Sequence, residues 1–283
     1  MPNNSIPVVS SILHPSDFSE TSKVAFAYSL AIALRSKSSL TLLHVESEQF
    51  KESDWELFPS VMGTLENWGI LAAGTPKDEV FSRLGVMIKK VEITAGNPVS
   101  AIIDYMSNHP IDLIVLASHK EMGLERWTKP SVSEPVSRHS NKITLFIPDE
   151  SRGFISLNNG NISLKKVLIP IDKSPNPRPA INFAVNFVKA LTSDPVEIKL
   201  LHIGEESAIK GFDRNFDEQI NLSVEVSSGK VHEEINRISK EFQADLIVMA
   251  THGHEGFLDM LRGSTTEQVL RLSGCPVLAV PSV

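Results

Sequence analysis

The sequence predicts an α/β protein built from two tandem copies of one unit, each a five-stranded, parallel-type sheet with helices on both faces. Three observations predict it. First, Asp112-Leu113-Ile114-Val115-Leu116-Ala117-Ser118-His119 recurs as Asp245-Leu246-Ile247-Val248-Met249-Ala250-Thr251-His252, an offset of 133 residues that holds from Val91-Glu92 (Val224-Glu225) through Gly96 (Gly229) and Ser131 (Ser264) to Pro148 (Pro281). An internal repeat of this kind governs the fold. Second, short apolar runs alternate with helical periodicity, which requires right-handed crossovers and a parallel sheet. Third, the strand runs are almost continuously apolar, as burial on both faces demands.

Each copy opens with an apolar strand and a short polar turn. The first is Val8 to Leu13 followed by His14-Pro15-Ser16-Asp17-Phe18-Ser19; the second is Val167 to Ile171 followed by Asp172-Lys173-Ser174. A helix follows each, with Val24, Tyr28, Ala31 and Leu34 on one face in the first copy and Ile181, Ala184, Val185 and Val188 in the second. Asp17-Phe18-Ser19-Glu20 reads as a capping-box-like helix start with Asp17 as the cap. Strands Leu40 to Val45 and Glu197 to Ile203 both contain Leu-Leu-His. Strands Val91 to Thr94 and Val224 to Ser227 lead into helices Val99 to Asn108 and Val231 to Phe242. The repeated strands Leu113 to Ala117 and Leu246 to Ala250 come next, and Ile143 to Ile147 and Val277 to Val280 close the two copies. Those last strands are unpaired edges in an isolated unit, so pairing them within the chain covers both.

The expected division is residues 1–148, a linker at 149–163 and residues 164–283. The linker is rich in Asn, Gly and Ser and reads as a surface segment. The copies differ in the middle: His44 to Gly96 is 52 positions and His202 to Gly229 only 27. The first copy thus carries an extra segment with Trp55, Phe58, Trp68 and an apolar-periodic stretch from Val80 to Ile88. The two Trp residues are expected to pack a local cluster; exposed aromatics there would favour a homodimer.

A net charge of −7 argues against a nucleic-acid or membrane-surface binder, which needs a basic face. The lone cysteine, Cys275, excludes an internal disulfide and a cysteine-rich metal site. It precedes an apolar strand, where a free thiol is ordinarily buried and inert. Met1 to Leu13 lacks the basic and apolar regions of a signal peptide, and no apolar run nears the roughly 20 residues that span a bilayer. The expected location is the cytoplasm.

The chemistry concentrates in Ala250-x-x-Gly253-x9-Gly263-Ser264, placed after a buried strand. Glycines in such a turn allow positive φ and close backbone approach. Ser264 and Thr265 then open a helix whose free amides and partial positive charge suit an anion. An ordinary capped helix start is the plainer alternative. His252 and His254 flank Gly253 with no carboxylate or Cys cluster at ligand spacing, so no metal site is expected.

These residues resemble the ATP-binding signature G-x-x-G-x9-G-[ST] of the universal stress protein family. The Pro-x-Asp turn after the first strand and the Leu-Leu-His-[VI] strand resemble the same family, and the likeness spans both copies. It implies a tandem universal stress protein: two Rossmann-like domains paired through their last strands as a pseudo-dimer. By the same resemblance ATP, with Mg²⁺ at its phosphates, is the cofactor of the second copy. Pro170, Ile171 and the backbone at Ile203 would line the adenine pocket, with Met249 beside it and Asp172 near the ribose. Ala250, Gly253, Gly263, Ser264 and Thr265 would hold the phosphates, with His252 in contact with them. Ala250 departs from the pattern, and its methyl is tolerated unless that position needs φ > 0. The first copy departs further. Lys120 and Pro130 stand where the second has Gly253 and Gly263, and proline removes an amide.

The expected function is stress-response nucleotide binding, with ATP as a regulatory or conformational ligand and a protein partner unspecified by the sequence. The alternative is a nucleotide-free interaction protein. An enzyme is not expected. Neither first-strand turn contains the glycine-rich loop of ATP-pyrophosphatases, no Gly-Lys-[ST] P-loop is present, and no general base is evident.

Overall fold

A computed structural model describes residues 8–46, 60–118, 132–148, 152–205, 219–252 and 265–282. In the first half the elements run β1 (Ser11–Pro15), α1 (Glu20–Ser36), β2 (Ser39–Glu46), α2 (Val61–Asn67), α3 (Glu79–Leu84), β3 (Ile88–Thr94), α4 (Pro98–Asn108), β4 (Leu113–Ser118), α5 (Ser133–Ser140) and β5 (Ile143–Pro148). In the second they run β6 (Lys166–Pro170), α6 (Arg178–Leu191), β7 (Val196–Ile203), β8 (Ile220–Ser227), α7 (Val231–Phe242), β9 (Leu246–His252), α8 (Thr265–Leu272) and β10 (Val277–Ser282).

The ten strands form one sheet in the order β3-β2-β1-β4-β5-β10-β9-β6-β7-β8. Each half is parallel throughout, and the halves meet where β5 and β10 pair antiparallel, Val277 opposite Phe146 and Ala279 opposite Thr144. The expected pairing through the last strands is therefore present. It leaves β3 and β8 as the outer edges, where exposed Lys89, Lys90 and Glu92 on one and Asn221 on the other discourage further strand addition.

Two cores lie on the two faces. One holds Ile12, Leu42, Val115, Leu145, Val167, Leu200, Val248 and Leu278 under α1 and α6. The other holds Leu13, Leu116, Phe146, Leu168, Met249 and Val277 under the helices α4, α5, α7 and α8. Strand residues alternate between the cores because successive side chains leave opposite faces. That double burial is why the strands read as unbroken apolar runs.

The repeated aspartates have matching roles. Asp112 Oδ2 accepts the amides of Ser10 and Ser11 at 2.8 and 3.1 Å. Asp245 Oδ2 accepts those of Lys165 and Lys166, both at 2.9 Å. Each carboxylate stands just before the fourth strand of its half and ties down the start of the first. The signal lay at the head of the repeated octapeptide.

Several details differ from the sequence reading. The cap of α1 is Ser19, whose Oγ accepts the amide of Ser22, while Asp17 Oδ1 accepts the Ser19 amide and hydroxyl. Asp17 therefore braces the cap. His14, read as part of the turn, lies inside β1 and is fully buried. The stretch Val80 to Ile88 divides into the short α3 and the start of β3, with Gly85 in the left-handed region between them. Residues 152–164 do not simply cross the surface: Phe154, Ile155 and Leu164 are buried in the α1/α6 core. Trp68 is buried against this segment, whereas Phe81 of the extra segment is exposed; Trp55 and Phe58 lie outside the described residues.

Candidate functional site

In an open parallel sheet, ligands bind at the carboxyl ends of the strands where the strand order reverses. In the second half that point is between β6 and β9: the chain winds outward from β6 through β7 to β8, then returns to β9 on the other side. The ladder between β6 and β9 has Val167 opposite Leu246 and Leu168 opposite Ile247, and goes no further among the described residues. β9 meanwhile stays paired with β10 to the end, Ser282 opposite His252. Beyond those two paired positions the carboxyl ends of β6 and β9 carry no ladder, and this is the position at which an open parallel sheet has its crevice.

The described candidate residues converge on that end. Pro170 is the last residue of β6. The Ile171 amide donates to Leu201 O at 2.8 Å, which holds the turn onto β7, and the side chain is buried. His202, near the end of β7, is buried with Nδ1 3.1 Å from Ile171 O. His44 makes the matching contact in the first half, 2.8 Å from Ser16 O. These histidines clip the turn after the first strand; neither is exposed to a reacting group. Asp172 is exposed, and its Oδ1 accepts the amide of its neighbour Lys173 at 2.7 Å. Ile203 ends β7, half-buried.

Met249, Ala250 and His252 come from the last turns of β9. Met249 is buried in the core under α4, α5, α7 and α8, Ala250 is half-buried against the core under α1 and α6, and His252 is half-buried as the final strand residue. His252 was expected in the loop, and the strand reaches further than its apolar run suggested because β10 keeps pairing with it. Ala250 lies opposite Val280 in extended backbone and is absent from the residues with positive φ. A glycine's freedom is not required there, so the departure from the family pattern costs the site only a methyl.

Thr265 opens α8, which is anchored by Val269 and Leu270 in the same core as Met249. The helix ends near Pro276, whose carbonyl accepts the amide of Ile247 at the start of β9. Its first turn therefore points back toward the carboxyl ends of the strands. Glu267 in that turn is buried and ion-paired with Arg271. Gly253, Gly263 and Ser264 lie outside the described residues, as do Lys120, Pro130 and Ser131 of the first half.

Ile171 is buried in the core under α1 and α6 and Met249 in the core on the opposite face, while the Asp172 carboxylate stands exposed at the exit of β6. Among the described residues no group of three His, Cys, Asp or Glu side chains could hold a metal. No described helix is long and apolar enough to cross a membrane.

The corresponding crevice of the first half contains a buried polar network that the sequence reading missed. His14 Nδ1 lies 2.9 Å from Val115 O, its Nε2 3.4 Å from Ser22 Oγ, and Ser22 Oγ 2.9 Å from Ser16 Oγ. Burial pushes the imidazole down to about 4, so it is neutral at pH 7. The second half has Ile169 at this position. No periodic signal marks such a histidine, since it sits where an apolar residue would.

The Universal stress protein family profile matches residues 9–148 and 204–281. Pro170, Ile171, Asp172 and Ile203 fall between these spans. Universal stress proteins MJ0531 and MJ0577 of Methanocaldococcus jannaschii are each 27% identical, over 146 and 150 residues. They cover 44% and 48% of this chain and 86% and 93% of their own. A universal stress protein from Archaeoglobus fulgidus superposes over 97% of both chains with a TM-score of 0.63 at 21% identity, a likeness of fold. With matches in both halves and a sheet that joins two such units, the chain belongs to the universal stress protein family.

Proposed function

We propose that this protein binds an adenine nucleotide, ATP with Mg²⁺ at its phosphates, in the crevice between β6 and β9, as a conformational ligand in a stress response. The proposed units are residues 1–148 and 164–283 joined by 149–163, acting in the cytoplasm with a protein partner. Pro170, Ile171 and the backbone at Ile203 receive the base, Asp172 the ribose, and Met249 belongs to the same proposed set. Ala250, His252, Gly253, Gly263, Ser264 and Thr265 receive the phosphates. The observation that carries this reading is the convergence of the described members of that set on the switch point of the second half. The extended backbone at Ala250 supports it further, since it removes the objection raised by the missing glycine. Turnover is not part of the proposal: His202 is engaged with the Ile171 carbonyl, and Asp172 is exposed rather than poised by burial as a general base.

The test is mass spectrometry of small molecules released from purified, denatured protein, followed by ATP titration calorimetry. Bound adenine nucleotide, or saturable binding that Gly263→Val abolishes, is expected. No binding at millimolar ATP would leave the nucleotide-free interaction protein as the reading.

A further inference from the structure

The two halves differ most in how their first helices are covered. α6 keeps a solvent side, with Asn182, Asn186 and Lys189 exposed. α1 has none along its middle: every residue from Ala25 to Ala33 is buried. A helix apolar all round needs cover on every side. The sheet lies beneath α1 and α6 beside it, and the remaining cover comes from two pieces with no counterpart among the described residues of the second half. One is the extra segment, through Leu65, Trp68, Leu71 and Val80; the other is residues 152–164.

Residues 152–164 form a hairpin. Ile155 bridges Ile162, the Ser163 amide donates to Phe154 O at 2.7 Å, and the Ser156 amide donates to Asn161 O at 2.9 Å. Gly160, at φ 68°, closes the turn, its amide on Ser156 O. The hairpin is held at three places. At its tip, the Trp68 indole N–H donates to Leu157 O at 2.8 Å, and a Cβ on Gly160 would lie 2.4 Å from the Trp68 ring. In its middle, Phe154 meets Tyr28 of α1 edge-on at 5.0 Å and donates its amide to the Tyr28 hydroxyl at 2.9 Å. At its base, the Arg152 amide donates at 2.8 Å to Gly274 O, in the turn before β10.

We propose that the hairpin is an interdomain strap and that the extra segment of the first repeat is its anchor. The strap runs from α2 and α1 of the first half to the Gly274 turn of the second, alongside the β5–β10 ladder that joins them. Release of Trp68 frees the tip, uncovers α1 and loosens that ladder, while the outer strands of the second half keep their pairing. The inference stands apart from nucleotide binding, since no strap residue belongs to the β6/β9 crevice.

Hydrogen exchange on the full chain tests it, with Trp68→Ala cutting the anchor and Gly160→Val pushing the ring away from the hairpin side. Amides of residues 152–164 and of β5 and β10 should exchange roughly tenfold faster or more in both variants, with β7 and β8 unchanged. Exchange in the hairpin that matches the unsubstituted protein in either folded variant would overturn the proposal. So would an equal loosening of every strand, which marks Trp68 as general core. Should Trp68→Ala fail to fold, Trp68→Phe, which keeps a ring but loses the indole N–H bond to Leu157 O, carries the test.

Discussion

Asp112 and Asp245 make the same pair of bonds at the same place in the repeat, yet their replacement should have unequal consequences. Asp245 is 7% exposed and Asp112 is solvent-exposed. Replacing Asp245 with alanine removes two partly buried, charge-assisted bonds, each 2.9 Å long, from the Lys165 and Lys166 amides. Hydrogen bonds to charged groups contribute about 1.5–3 kcal/mol each. The expected loss is roughly 3 kcal/mol, or about 5 °C in Tm for a chain of 283 residues. At Asp112 water can take over both amides, and the expected loss is about 1 kcal/mol. Asp245→Asn keeps a neutral acceptor and should fall between. Urea unfolding followed by circular dichroism gives the three values. Equal losses for Asp112→Ala and Asp245→Ala, to within about 0.5 kcal/mol, would refute the reasoning that burial sets the strength of the clip.

Acidification gives a second prediction. His14 has a folded pKa of about 4 against 6.5 for the free side chain, so the unfolded chain takes the proton first. Its contribution to stability is full above pH 6.5, declines as pH falls toward about 4 and is flat below, a total near 3 kcal/mol. His14→Ile, the residue type at the matching position Ile169, should flatten that part of a stability-versus-pH curve; an unchanged slope places the titration elsewhere. Gly153→Ala sets a Cβ 1.9 Å from the Tyr28 hydroxyl that receives the Phe154 amide, and should cost about 1–3 kcal/mol in thermal unfolding. A neutral result would mean that α1 and the strap move apart freely. Burial pushes the Cys275 thiol up, beside the Ser239 and Ser273 hydroxyls, so a maleimide should label it only with unfolding. Fast labelling of the native chain contradicts this.

The sheet was readable because the strands are buried on both faces, which writes each as an apolar run, and because the Asp-headed strand occurs twice. All-round burial of α1 was also on the page, in the run Val24 to Leu34 with no charged residue. The strap was not, since its Asn, Gly and Ser residues are those of an exposed turn, and its buried anchors amount to Phe154, Ile155 and Leu164 among polar neighbours. Three helices end on non-glycine residues in the left-handed region, Lys37 after α1, Asn141 after α5 and Gln243 after α7, where a search for glycine finds no stop signal. Of the candidate site, the strand-end residues could be placed from sequence because topology alone brings them to the switch point. His14 could not, because a buried polar network depends on which backbone carbonyl lies opposite.

The proposal that one half is built for a nucleotide is tested most directly by the stoichiometry of ATP binding in calorimetry, with Gly263→Val and Pro130→Gly beside the unsubstituted chain. One ATP per chain is predicted, lost in Gly263→Val and unaffected by Pro130→Gly. No binding at millimolar ATP, or two sites per chain, would contradict the division between the halves.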